Sequence, residues 1–376
     1  MRRYKLVLTG VVAVIGLLAL LLLVSFAVPF EAWRTGRLPV PPLQVIEGGP
    51  KIDPPRRVWI DTDAACGNGR RTDPDDCLAL LLLAGDPSLQ IVGISTVFGN
   101  ADINVTDRTT RALVGQLRAD GATLPVVLRG AGAAAEMPAP SSPAREGLRR
   151  AMEDGPLTIL ALGPLTNVAA ALEGRPDLHG NVERVIAVMG RRPGHIFHPA
   201  EGNGHGILFG HGPVFRDMNF DLDRTAATAL LDMGLSISLI PYDVARQVQL
   251  TGDDLDRIAH AGRAGQWVAA RARGWLDFWQ DEIGLEGFYP FDLMAAAYTI
   301  EPTAFDCADT AAWIARDDRL KNFWFHDPPA LQVGPERTRP ADPAAWQHVL
   351  YCPSADPGLR SGLMRRLTES SVSGGS

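Results

Sequence analysis

Between residues 58 and 83 the chain reads Val58-Trp59-Ile60-Asp61-Thr62-Asp63, eleven further residues, then Asp75-Asp76-Cys77 and the apolar run Leu78 to Leu83. Two pairs of carboxylates, Asp61 with Asp63 and Asp75 with Asp76, thus fall between a β-branched, aromatic stretch that reads as a strand and an apolar run that reads as a buried helix. Pro74 suits the first helical turn, which puts Asp75 and Asp76 at a helix N-terminus, where unpaired N–H groups and the dipole favour negative charge. Capping needs only one carboxylate, and the remainder as solvated loop is the bland alternative. Like charges held this close repel and raise each other's pKa, so the cluster reads first as a hard-metal site. In an open α/β sheet ligands bind outside the carboxyl ends of the strands, where Asp61 and Asp63 fall.

The rest of the chain keeps the same alternation. Leu89 to Phe98, Leu124 to Leu128, Leu157 to Leu162, Val182 to Met189 and Leu235 to Ile240 read as strands. Asp102 to Arg118, Thr166 to Leu172 and Asp223 to Met233 read as helices between them, followed by helical stretches at Asp254 to Ala261, Ala264 to Gln280 and Asp292 to Thr299. Short strand signals broken by Pro run from Ala311 to Tyr351. This pattern predicts an α/β fold, a single domain with a mainly parallel central sheet flanked by helices, Rossmann-like in its alternation. The expected divisions are an N-terminal segment over 1–30, a Pro/Gly-rich tether over 31–55, the domain over 56–355 and a tail over 356–376 whose polar end is disordered.

Composition narrows the function. A 46% hydrophobic, 21% charged chain of 376 residues holds enough apolar side chains for a sizeable core. Its net charge of −7 and the lack of Lys/Arg runs with interleaved aromatics exclude nucleic acid as a partner. Arg2, Arg3 and Lys5 precede an uncharged stretch from Leu6 to Phe30, long enough to span a bilayer as a helix. The positive flank predicts a cytoplasmic N-terminus and a membrane-anchored domain outside the cytoplasm. Ser25-Phe26-Ala27 also fits a signal-peptide cleavage site, which would give a secreted protein instead. Outside the cytoplasm the four cysteines could pair by proximity in sequence, Cys66 with Cys77 and Cys307 with Cys352, or stay as buried thiols. Asn104-Val105-Thr106 has the form of a glycosylation sequon.

Further blocks follow the first: Val97-Phe98-Gly99-Asn100, Gly163-Pro164-Leu165-Thr166-Asn167, Val188-Met189-Gly190, Asp217-Met218-Asn219-Phe220 and Phe291-Asp292-Leu293-Met294-Ala295. Each is weak alone; the ordered set resembles the inosine-uridine-preferring nucleoside hydrolase family across most of Arg56 to Ala295. The resemblance implies an N-ribosyl hydrolase with one Ca²⁺ ion held by Asp63, Asp76, Asp292 and the Leu162 carbonyl. It makes Asp63 the general base for a metal-activated water, and gives Asp75, Asn100, Asn203, Asp217, Asn219 and Asp292 the ribose hydroxyls. Asp61 would orient the ligands from behind. A small nucleoside or ribosyl compound is the implied partner, and homo-oligomers are common in the family.

The chain departs from the family pattern in three places. The spacer Ala64 to Pro74 has eleven residues where the family has about three. Phe291 stands where part of the family has a His that protonates the departing base. The stretch Arg191 to Gly212 is long and carries His195, His198, His205, His211 and Glu201, readable as a lid supplying an acid or as a surface loop. Because the substitutions gather on the leaving-group side, a different ribosylated compound, or a non-catalytic exported binding or sensor protein, competes with the nucleoside reading. Of the aromatics Trp275, Phe278, Trp279, Phe288 and Tyr289, one or two are expected in the pocket and the rest in the core.

Overall fold

The computed structural model describes residues 14–19, 43–45, 48, 56–134, 141–193, 217–316, 329–335 and 339–369. Of the expected anchor only 14–19 is described, as a helical turn whose Val14, Ile15, Leu17 and Leu18 are exposed. No helix among the described residues is long and apolar enough to cross a membrane. Most of the tether, the end of the tail, and the stretch holding Asn203, His195, His198, His205, His211 and Glu201 lie outside the described residues.

Among the described residues, nine strands form one sheet. They are β1 (Arg56–Thr62), β2 (Leu89–Thr96), β3 (Val127–Arg129), β4 (Leu157–Ala161), β5 (Val182–Ala187), β6 (Ile237–Leu239) and, beyond a small hairpin of β7 (Leu250–Thr251) and β8 (Gly287–Phe288), β9 (Phe305–Ala315), β10 (Ala330–Gly334) and β11 (Gln347–Ala355). Their order is β10-β9-β11-β6-β5-β4-β1-β2-β3. From β3 across to β11 all neighbours are parallel, and β9 runs antiparallel to both β11 and β10. β1 has β2 on one side and β4 on the other, so the winding reverses beside it and a crevice opens at its carboxyl end.

Alternation along the central strands feeds two apolar layers. Val58 and Ile60 of β1 face one layer with α1 (Asp75–Ala84), α8 (Gly252–Ile258), α9 (Gly262–Phe278), α10 (Phe291–Ile300) and α11 (Leu359–Thr368). Trp59 faces the other, with α3 (Pro143–Glu153), α4 (Thr166–Leu172) and α6 (Arg224–Asp232). α2 (Ile103–Ala119) and α7 (Tyr242–Ala245) join the first layer through Leu113, Leu117, Val244 and Ala245, and α5 (Met218–Leu222) joins the second through Phe220. Trp59 needs Gly93 beside it, since a Cβ there would lie 2.0 Å from the indole.

Besides the short α5 and α7, two longer helices were not expected. α3 forms although its sequence is dominated by charge, because Ser142 caps it by accepting the Arg145 N–H, Pro143 starts it, and Leu148, Ala151 and Met152 form a buried stripe. The stretch expected as a tail contains α11, whose Leu359, Leu363, Met364 and Leu367 are buried at helical spacing. Arg360 of α11 reaches Asp254 at 2.6 Å and Arg366 reaches Asp86 at 2.5 Å. Both candidate cysteine pairs are bonded, Cys66–Cys77 bracing the spacer and Cys307–Cys352 joining β9 to β11.

Candidate active site

The crevice beside β1 is a cavity of about 350 Å³. β1 ends at Thr62, so Asp63 leaves the sheet into this space, and α1 and α10 bring Asp76 and Asp292 to it from their first turns. One carboxylate oxygen from each of Asp63, Asp76 and Asp292 lies within 4.8 Å of the others, and all three residues are buried. The positive ends of two helices therefore face the cluster. Asp75 ties them together, accepting the Asp292 N–H at 2.8 Å.

Each ligand candidate is held by its other contacts. Asp63 Oδ2 accepts the Asn100 N–H at 2.7 Å, while the Asn100 side-chain amide donates to Asp76 Oδ2 at 3.0 Å. The Thr62 hydroxyl donates to Asp76 Oδ1. Gly99 is required by contact, since a Cβ there would lie 1.8 Å from Asp63 Oδ2. Asp63 Oδ1 is buried with no hydrogen-bond partner among the described residues. An orphaned carboxylate oxygen is costly unless a proton or cation meets it, so the donor set fits a hard metal ion.

Electrostatics agree. Burial first, and then repulsion from Asp76, hold the Asp63 carboxyl well above the usual range. Burial followed by Asp75 and Asp76 does the same to Asp292. Burial pushes Asp75 up to about 6, with Asp76 adding to it. A divalent ion would reverse these shifts by favouring the charged forms.

Asp61 stands one layer behind. It is fully buried, accepting the Ser95 hydroxyl at 2.5 Å and the Asn167 amide at 2.8 Å, and burial raises it to about 6 against those two bonds. Trp59 Nε1 donates to Ser95 at 2.7 Å, and Asn167 also bridges to the Thr96 carbonyl. This cage around Asp61 was not anticipated from sequence; Asn167 lay in a quoted block without a role.

The remaining predicted residues, apart from Asn203 outside the described residues, line the same cavity. Asn219 donates to the Leu162 carbonyl at 2.5 Å and to the Val188 carbonyl at 3.1 Å. A carbonyl has two lone pairs, so Leu162 keeps one for a cation. Asp217 accepts the Gly190 N–H at 2.8 Å; burial lifts it to about 7 although that bond and Arg191 pull the other way. Trp275 and Phe278 stack on one another with centroids 5.0 Å apart and line the cavity, whereas Trp279, Phe288 and Tyr289 are core. Opposite them Phe291 stacks on Tyr242 at 5.8 Å. Sequence reasoning missed Tyr242, and also Arg71 and Asp73, which the spacer places on the cavity wall. A cavity of about 360 Å³ between α10 and α11 mixes Glu301 and Asp356 with Arg365 and Arg366 and gathers no converging ligands.

A crevice at the sheet's switch point, floored by carboxylates and walled by aromatics, has the parts of an enzyme site for a small ligand with one polar and one flat side. The inosine-uridine preferring nucleoside hydrolase family model matches residues 58–322, and the chain belongs to that family. It is accordingly a hydrolase acting on N-glycosyl bonds. Its relatives include uridine nucleosidase 1 of Arabidopsis thaliana, 25% identical over 69% of this chain and 78% of that protein. The non-specific ribonucleoside hydrolase RihC of Escherichia fergusonii is 26% identical over 62% and 79%. Among solved structures, the plant nucleoside hydrolase PpNRh1 matches with a TM-score of 0.65 at 20% identity, covering 84% of this chain and 99% of that one. The purine-preferring ribonucleoside hydrolase from Gardnerella vaginalis gives 0.61 at 18% identity, over 83% and 98%. These two likenesses concern the fold.

Proposed function

We propose that the protein is a Ca²⁺-dependent hydrolase of a ribonucleoside or related N-ribosyl compound, releasing ribose and base outside the cytoplasm. The observation that carries the reading is the convergence of Asp63, Asp76 and Asp292 around the orphaned Asp63 Oδ1. An all-oxygen set with no His suits Ca²⁺ over softer ions. Bound there, the ion would supply water with a lowered pKa.

The chain's own residues do the rest. Asp63, fixed through Oδ2 by the Asn100 N–H, takes a proton from the attacking water through Oδ1. Asp75, Asn100, Asp217, Asn219 and Asp292 bind ribose hydroxyls and set the sugar over the carboxylate floor. C–N cleavage builds positive charge on the ribose ring, which the nearby carboxylates stabilise. Trp275, Phe278, Tyr242 and Phe291 offer flat faces for the base.

Membrane attachment belongs to the same proposal. It is supported by the uncharged run behind Arg2, Arg3 and Lys5, by the exposed apolar side chains at 14–19, and by two disulfides of the kind that persist in oxidising compartments. Homo-oligomers, implied by the family resemblance, are tested by sedimentation of the detergent-solubilised full chain. Phe291 favours a second reading, a ribosylated compound with a better leaving group, because its ring offers no proton.

The deciding experiment incubates the full-length protein with Ca²⁺ and a panel of purine and pyrimidine nucleosides while free ribose is followed. EDTA abolishes release, and Asp63→Asn lowers kcat by about 10²–10⁴-fold. Silence across the panel with ribose and Ca²⁺ still bound moves the reading to an unusual aglycone or to a binding protein.

A further inference from the structure

We infer that Asp73, carried by the long spacer between β1 and α1, is the acid that protonates the departing aglycone. The inference rests on the hydrolase reading above and fills the place that Phe291 leaves without a proton.

The spacer is built into the site. Cys66 ties its start to Cys77 on α1. Its middle lies against α9, where a Cβ on Gly274 would come within 3.2 Å of Arg70 Cα. Arg70 donates to the Asp277 carbonyl at 2.9 Å and pairs with Asp281, and Arg71 pairs with Glu282. The Arg71 guanidinium stands 5.4 Å from the Phe278 ring centroid. Gly274 is one residue from Trp275, so the spacer is fastened to the aromatic wall at one end and to the sugar-side helix α1 at the other.

Asp73 sits where those two ends meet and lines the cavity with Asp63, Asn100, Trp275 and Phe278. A ribosyl group over Asp63 and Asp75 with its base against Trp275 and Phe278 places the scissile bond at this junction. Asp73 Oδ1 accepts the Asp75 N–H at 3.2 Å, so Oδ2 is the oxygen left to carry a proton. The like charge of Asp75 beside Asp73 favours the form that keeps its proton. Burial and the neighbouring Asp75 keep Asp73 well above the usual carboxylate range, in the same sense.

The step balances. As the C1′–N bond breaks, its electron pair goes to the base and the Asp73 Oδ2 proton follows onto a basic atom of the base. Water adds to C1′ and gives its proton to Asp63. Asp73 is then reprotonated from solvent through the cavity mouth, where Arg71 is 69% exposed.

The test compares inosine and uridine with 4-nitrophenyl β-D-ribofuranoside, whose phenolate leaves without protonation, on full-length protein. Asp73→Asn keeps the acceptor for the Asp75 N–H and cannot give up a proton. It is expected to lose about 10²-fold or more in kcat/KM on the nucleosides and less than about 5-fold on the nitrophenyl riboside. Asp73→Glu, which keeps a transferable proton, restores nucleoside cleavage part-way. Equal losses on both substrates, or no loss on either, overturn the assignment while leaving the hydrolase reading intact. Failure of the unmodified protein to release ribose from any of the three removes the hydrolase reading and this inference with it.

Discussion

Asp63 has one oxygen fixed and one free, and Gly99 makes that division possible. Gly99→Ala would drive a methyl into Asp63 Oδ2, and overpacking of this kind costs about 1–3 kcal/mol. The expected result is a lower denaturation midpoint together with loss of ribose release, read by chemical denaturation and by activity on the same preparation. Titration gives a second prediction. In the metal-free protein burial raises Asp61 and Asp75 from 3.8 to about 6 and Asp217 to about 7. The folded state binds these protons more tightly than the unfolded chain, so their stabilising effect is full below pH 3.8 and is lost as pH rises toward 6 and 7. A chelated sample should therefore lose on the order of 2 kcal/mol or more between pH 4 and pH 7, and added Ca²⁺ should flatten the curve. A melting temperature independent of Ca²⁺ at pH 7 would count against the cation site. Asp63, Asp76 and Asp292 were legible in the sequence because each sits in a short ordered block. The Ser95–Asn167 cage around Asp61 was not, because its members lie 34 and 106 residues away and only sheet pairing brings them together.

α1 and α10 meet at their N-termini through the Asp75–Asp292 bond, so packing elsewhere on α10 bears on the site. α11 covers part of the same apolar layer with Leu359, Leu363, Met364 and Leu367. Leu363→Ala is expected to cost about 2–4 kcal/mol by large-to-small cavity formation, measured as a shift in urea midpoint with unchanged slope. An unchanged midpoint would mean that α11 is not part of the cooperative unit. α11 escaped sequence reading because its apolar residues are diluted by Arg360, Arg365 and Arg366, and isolated short helices signal mainly through packing. The strands β1, β2, β4, β5 and β6 were legible for the opposite reason: burial concentrates their apolar residues in short runs such as Val58 to Ile60, Ile159 to Ala161 and Val185 to Ala187. Cys307–Cys352 joins β9 to β11 across 45 residues, and reducing it together with Cys66–Cys77 should lower the melting temperature by several degrees, checked by calorimetry with and without a reductant.

At the scale of the fold, the reversal of strand order at β1 decides where the site lies: there the helices on the two faces leave a gap above the strand ends. That gap was foreseeable once the alternation of strands and helices was read, whereas the antiparallel addition of β9 and β10 was not, since its strand signals are short and broken by Pro. The orientation proposed for the membrane gives a prediction at this scale. A phosphatase that is active only in an oxidising compartment, fused after Ser376, should be active in whole cells, and an inactive but intact fusion would overturn the export reading. The spacer between β1 and α1 pairs with no strand of the sheet; past the buried Ala64 to Cys66, its hold on the molecule is one disulfide, close packing of Gly67 and Arg70 on α9, and arginine contacts to Asp277, Asp281 and Glu282. It is in effect an interchangeable cassette: a library confined to residues 67–72, with Asp73 kept, could retune which aglycone is accepted while the machinery that cuts the bond is left as it stands.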